Sequence, residues 1–314
     1  MYFAGARETA ATLARLSAVA LVALVATALA VTLFTALAWR LILEQQGHRV
    51  PLWLVFRLTV VTFAVGWTIP SGFVAGIPAA AYFLRRRGVP MVRGLASFVI
   101  GRFFEITGSA LVLPLVLLSR LGAHPGVRLL ALVTMLAVGL AYADLVLGWR
   151  LARRSLVQLQ SVLPGFGRRA LQSALDFCAI VADFFRAPLP RILLVAWYSL
   201  LAVAAAFVRS LLTARFLGLP LTLPEIVIMF VVTVFLISIP FLPGAIGVYE
   251  GGMAGAFELL GHSRADGVAY AMAVHAAELA VVALGFFFLA QLGFGALQSG
   301  GVAPPRGQRA RRRA

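Results

Sequence analysis

Apolar residues in this chain come in runs too long for one face of a soluble helix. They occupy 16–39, 51–69, 73–84, 94–119, 129–149, 190–212, 221–242, 245–260 and 267–296. A helix that crosses a bilayer needs about 20 consecutive apolar residues, and several of these runs supply them. With 62% of its 314 residues hydrophobic and 12% charged, the chain cannot cover a soluble globule, whose charged share is about a quarter. The expected fold class is therefore all-α: a polytopic membrane protein.

The charge is lopsided, +16 in total. All 27 basic residues are arginine, a usage that fits a GC-rich genome and excludes lysine-dependent chemistry. The arginines sit in short clusters between apolar runs, as topology signals do, and nucleic-acid binding is a poor account of them. Cys178 is the one cysteine, so no intrachain disulfide or thiolate cluster can form. The histidines, at 48, 124, 262 and 275, are scattered. No nucleotide-binding or nucleophile-elbow motif is present. No metal, cofactor or catalytic residue is expected.

Two of the runs are short and follow a proline–glycine break. Ile69-Pro70-Ser71-Gly72 precedes 73–84, and Ile239-Pro240-Phe241-Leu242-Pro243-Gly244 precedes 245–260. Proline removes a backbone donor and glycine permits the reversal. Pro70 and Gly72 in the first break, and Pro243, Gly244 and Gly247 in the second, are the expected turns of two re-entrant-type hairpins. A shift of 173 positions sets Pro51 on Pro224, Pro70 on Pro243, Gly88 on Gly261, Arg102 on His275 and Glu105 on Glu278. A repeated unit explains this register; coincidence among landmarks in a proline- and glycine-containing chain is the bland alternative. The chain then divides into an N-terminal segment (1–15), a first membrane repeat with a connecting span (16–149), a basic amphipathic linker broken at Pro164-Gly165 (150–189), a second membrane repeat (190–298) and a disordered basic tail (299–314). The run from 16 continues past any signal-peptide core, so an uncleaved span is expected in preference to a leader.

If each hairpin returns to the side it entered, the runs beginning at 16, 94 and 129 leave the repeats inverted, a familiar transporter arrangement. Arg85, Arg86, Arg87, Arg93, the linker and the tail then share the cytoplasmic side, and the N-terminus lies outside. The rival treats each hairpin as a single crossing; it puts the N-terminus inside but exports the arginine-rich tail.

Ionisable groups inside apolar runs are costly and face a cavity or a partner. Arg102 and Glu105 lie three apart on one helical face, and His275 and Glu278 repeat the spacing. Two intramembrane ion pairs locking helices together would explain them, and so would a substrate role. Snorkelling to an interface accounts for Arg57, Asp144, Arg209 and Glu258. Glu250 follows the second break, where a carboxylate caps a helix N-terminus or serves as a gate. Gly251 and Gly255 have a helix-packing spacing.

The segments PFLPGAIGVYEGGMAGAFELLG and RRRGVPMVRGLASFVIGRFFEITGSALVL, with Trp39-Arg40-Leu41 closing the first run, resemble the flippase-like integral membrane family that includes the transmembrane region of lysylphosphatidylglycerol synthase. The resemblance covers about 16–296. The family's Pro-Gly-x-x-Gly-x-x-Glu is intact at Pro243, Gly244, Gly247 and Glu250, and its arginine–acid pair is matched by Arg102 and Glu105. The acid and arginine that usually follow its first turn are missing here, and His275 stands where arginine is common. The resemblance implies a multi-pass protein of a bacterial cytoplasmic membrane. It implies translocation of a lipid or lipid-linked headgroup; the polar groups inside the apolar runs then make Arg102, Glu105, Glu250, His275 and Glu278 the candidate substrate-binding residues, with anionic or phosphate-bearing lipids as the expected partners. The sequence ends after the membrane region, so no aminoacyl-transfer activity is expected. A non-catalytic membrane scaffold, or an accessory subunit of an envelope lipid or glycan enzyme, is the alternative.

Overall fold

The computed structural model describes residues 2–69, 75–110, 165–237 and 243–298, with isolated positions between 128 and 143. The expected turn at Pro70 and Gly72, Asp144, the first part of the linker and the tail lie outside the described residues.

The described elements are helical. After a short helix α1 (Tyr2–Leu13), the chain forms α2 (Ala18–Gln45), α3 (Leu52–Thr68), α4 (Gly76–Arg85) and α5 (Met91–Ala110). Beyond the next segment come α6 (Gly165–Phe185), α7 (Leu189–Phe216), α8 (Leu223–Ile237), α9 (Val248–Leu259) and α10 (Arg264–Gln298). Among the described residues, three stretches are long and apolar enough to cross a membrane: Ala18–Gln45, Leu189–Phe216 and Arg264–Phe294. At 1.5 Å per residue the two 28-residue helices extend about 42 Å, more than the roughly 30 Å hydrocarbon core. The 10 residues of α4 and the 12 of α9 reach only about 15–18 Å, so neither crosses alone.

Local chemistry sets these boundaries. The hydroxyl of Ser17 accepts from the Ala20 amide at 3.1 Å, capping the start of α2. Pro188 and Pro190 fix the entry to α7, a position where the missing N–H costs nothing. Four helices end alike. Gly47, Gly88, Gly218 and Gly261 all have φ between 65° and 86°, the left-handed conformation that closes a helix C-terminus. The boundaries also recur. Met91 and Arg264 open α5 and α10, and Gly88 and Gly261 end α4 and α9, each pair 173 positions apart. The helices α2 and α7 have equal length and start 171 positions apart. The element order α2–α5 is thus repeated in α7–α10.

These elements pack around α2 and α7, which run along each other more extensively than any other pair. Two contacts mark opposite ends of that seam. Arg15 donates to the Leu217 carbonyl beyond the end of α7 at 3.2 Å, while Gln45 at the end of α2 donates to Phe184, just before α7, at 3.0 Å. The two helices are therefore antiparallel. Each short helix packs on the longer one before it. Gly76 brings α4 onto the backbone of Thr62, where a Cβ would collide with the carbonyl oxygen. Gly252 in α9 approaches the side chain of Leu236 of α8, where a Cβ would lie 2.5 Å from a methyl carbon. The GxxxG spacing of Gly251 and Gly255 does not mark a packed face, because a Cβ at either position meets open space. The packing glycine is Gly252, between them. Beginning at the break expected from Pro164-Gly165, α6 buries Val181 and Phe184 against Ile100, Phe104 and Val195.

One interface has no counterpart in the other half. α3 lies antiparallel along α10, with Gly285 seated on Ala64 and Val60. The equivalent helices, α8 and α5, make no comparable contact among the described residues.

Candidate functional site

The centre of α10 carries two buried polar side chains. His275 and Glu278 are 7% and 5% exposed, and Glu278 lies about 21 Å along the helix from Arg264. Despite their spacing, each binds a different helix. One oxygen of Glu278 is 3.3 Å from Arg209 Nη2 of α7. The other accepts from Trp67 Nε1 of α3 at 3.3 Å. His275 Nδ1 is 2.9 Å from Glu250 Oε1 of α9, and Tyr249 lies over the imidazole with ring centroids 4.9 Å apart.

This corrects two expectations. The second polar pair does not close on itself as its i,i+3 spacing allowed. Nor does Arg209 snorkel: its side chain is 12% exposed and pairs with Glu278. A carboxylate in an apolar bundle is stable only with partners, and Arg209 and Trp67 provide them.

Glu250 combines two roles. It sits in the first turn of α9, and its Oε2 accepts from the Gly247 amide at 2.6 Å, as a capping carboxylate does. Its other oxygen reaches His275. The break itself is built from Pro243, Gly244 and Gly247. Gly244 and Gly247 have φ of 58° and 85°, a conformation that favours glycine. Ala245 shares it, with φ of 54°. Gly244 also makes room for Trp67, since a Cβ there would lie 2.5 Å from the indole. Thr233 of α8 and Tyr249 of α9 are linked through their hydroxyls at 3.1 Å, tying the two sides of the break together.

Arg102 and Glu105 do pair within α5, at 2.5 Å. Thr35 of α2 donates to the remaining Glu105 oxygen at 2.9 Å, and the Arg102 guanidinium stands 5.8 Å over the ring of Phe98. This pair is more open: the Arg102 side chain is 44% exposed. It packs against α2, whereas Glu278 is held between α3 and α7. The structure thus brings Glu250, His275 and Glu278 into one core and leaves Arg102 and Glu105 as a separate station.

Trp67, Tyr249, Thr233 and Thr35 belong to these sites and were not singled out by the sequence, while Arg209 was singled out but read as snorkelling. For Arg209 a signal existed, an arginine inside a long apolar run opposite an unmatched acid. For the others none did, since aromatic and hydroxyl residues are common in membrane helices. The buried Nε2 of His275 has no partner among the described residues, so the core retains one unfilled hydrogen-bonding position.

Chemically, the core offers two pairs beside the break: the Arg209 guanidinium with the Glu278 carboxylate, and the His275 imidazole with the Glu250 carboxylate. The model of a protein family described as Lysylphosphatidylglycerol synthase TM region matches residues 1–285. No curated protein and no solved structure matches the chain.

Proposed function

The chain belongs to the lysylphosphatidylglycerol synthase TM region family, and from that premise we propose that this multi-pass membrane protein moves a lipid or lipid-linked, phosphate-bearing headgroup between leaflets without ATP. The observation that carries the reading is the buried core joining Arg209, Glu278, His275 and Glu250 across the broken helix. Charged groups so deep in an apolar bundle are expensive, and a site that must handle a charged headgroup is a reason to keep them. The family's name links its members to lipid handling and fits this reading.

The antiparallel α2 and α7, which head equivalent series of elements, support an inverted repeat, with α3–α4 and α8–α9 as re-entrant hairpins. We assign the end carrying Arg85, Arg86, Arg87 and Arg93 to the cytoplasm, where basic residues accumulate. The headgroup would travel along α5, on the side where α5 lacks the seam that α3 makes with α10. Arg102 would meet the phosphate, Glu105 and Thr35 would hold the guanidinium in place, and Glu250 with His275 would gate the far side.

Reconstitution into liposomes with fluorescent anionic lipids tests this. Wild-type protein should expose inner-leaflet label to an outside quencher faster than empty vesicles do. Arg102→Ala should slow the exchange at least several-fold. Equal rates for the two proteins would remove Arg102 from the path, and equal rates for wild type and empty vesicles would sink the function.

A further inference from the structure

A second concentration of charge lies outside the polar core, where the end of α2 meets the start of α7. A cavity of ≈ 750 Å³ opens there, lined by Arg40, Glu44, Gln45, Arg49, Arg191 and Leu194 among others. Three guanidiniums face one carboxylate. Only Arg40 is engaged, through Glu44 at 2.8 Å; Arg49 and Arg191 have no protein partner among the described residues. The positive end of the α7 dipole lies at the same place.

The walls are held in position. Gln45 donates its amide to the Phe184 carbonyl at 3.0 Å. That bond orients the side chain and leaves Gln45 Oε1 buried without a partner. The loop carrying Arg49 is pinned by Arg93, which donates to the Gln46 carbonyl at 2.9 Å and lies 3.3 Å from His48 Nε2. Burial, and then the Arg93 charge, hold the His48 pKa below its ordinary value, so at neutral pH the ring is neutral and can accept from Arg93. Leu41, Val50 and Leu194 add apolar wall beside the charges.

Free guanidiniums recognise phosphate by paired N–H donors. An unpartnered amide oxygen wants a donor, such as a hydroxyl or an ammonium. Apolar wall suits the first carbons of an acyl chain. We infer that this cavity binds a phosphate-bearing headgroup carrying a hydroxyl or ammonium donor, through Arg49, Arg191 and Gln45, as a site separate from the polar core. The site stands whether or not the protein moves lipid.

The test is a titration of the purified full-length protein, in a zwitterionic detergent, with dioctanoyl phosphatidylglycerol, read by thermophoresis. Binding should saturate, and the double variant R49Q/R191Q should weaken it at least tenfold. Glu44→Gln removes the competing carboxylate and releases Arg40, so it should tighten binding several-fold, a gain that a misfolded protein cannot give. Competition by millimolar inorganic phosphate would show that a free anion also fits; its failure to compete would assign the site to lipid. Binding that is absent, or that R49Q/R191Q leaves unchanged, overturns the inference.

Discussion

Glu105 and Glu278 occupy equivalent places in the two halves, 173 positions apart, and they are neutralised differently. Glu105 takes its arginine from its own helix, one turn away, and the pair stays partly open, the Arg102 side chain being 44% exposed. Glu278 takes Arg209 from α7 and a tryptophan N–H from α3, and both charges are nearly closed off, at 12% and 7% exposure. The intrahelical pair is tied to one neighbour only, α2, through the Thr35 hydroxyl. An interhelical pair in a dry interior fixes three helices together. The repeated scaffold thus holds one polar station that is partly open and one that is closed between helices.

The sharpest way to break this contrast is to remove each arginine in turn. Arg209→Ala strands the buried Glu278 carboxylate, and we expect a loss of about 3–5 kcal/mol, read as a large fall in the unfolding midpoint in detergent. Trp67→Phe keeps the ring packing but deletes the N–H to Glu278, which should cost about 1.5–3 kcal/mol, as for a hydrogen bond to a charged group. Glu250→Gln weakens the cap of α9 and its contact with His275, for about 1 kcal/mol; a change in transport larger than that stability loss implies would sharpen its assignment as a gate. Arg102→Ala should cost least, below about 1 kcal/mol, because half-open pairs contribute little. If Arg102→Ala destabilised as much as Arg209→Ala, the division into an open and a closed station would fail.

The long apolar spans of α2, α7 and α10 and the break at Pro243, Gly244 and Gly247 were legible because membrane burial demands long apolar runs and because proline and glycine interrupt helices for local, sequence-readable reasons. The 173-position register was legible for the same reason, and the helix ends at Gly88 and Gly261 carry it into the backbone. Partners were not legible. A spacing of three lets His275 and Glu278 face each other or face different neighbours, and only the packing of α7, α9 and α3 around α10 decides. Arg209 was ambiguous because a long flexible side chain can reach an interface or a partner equally well. Gly251 and Gly255 matched a packing spacing while the close approach falls at Gly252, because the face of α9 that meets α8 is set by where the break at Gly244 points the helix. The cavity beside Arg49 and Arg191 was invisible, since its walls come from residues about 140 positions apart.

The contact between Trp67 and Gly244 has a consequence of its own. One indole, from the first half, fills the space left by a missing side chain in the second half, while its N–H holds Glu278 and its ring stands edge-on to His275 with centroids 6.0 Å apart. The tryptophan works as a hinge pin seated in a glycine socket. Swinging the broken segment must drag the pin, and dragging the pin must loosen the carboxylate it holds. A shift of the broken segment is therefore felt as a change of charge balance in α10 of the same half, relayed through a side chain that belongs to the other half.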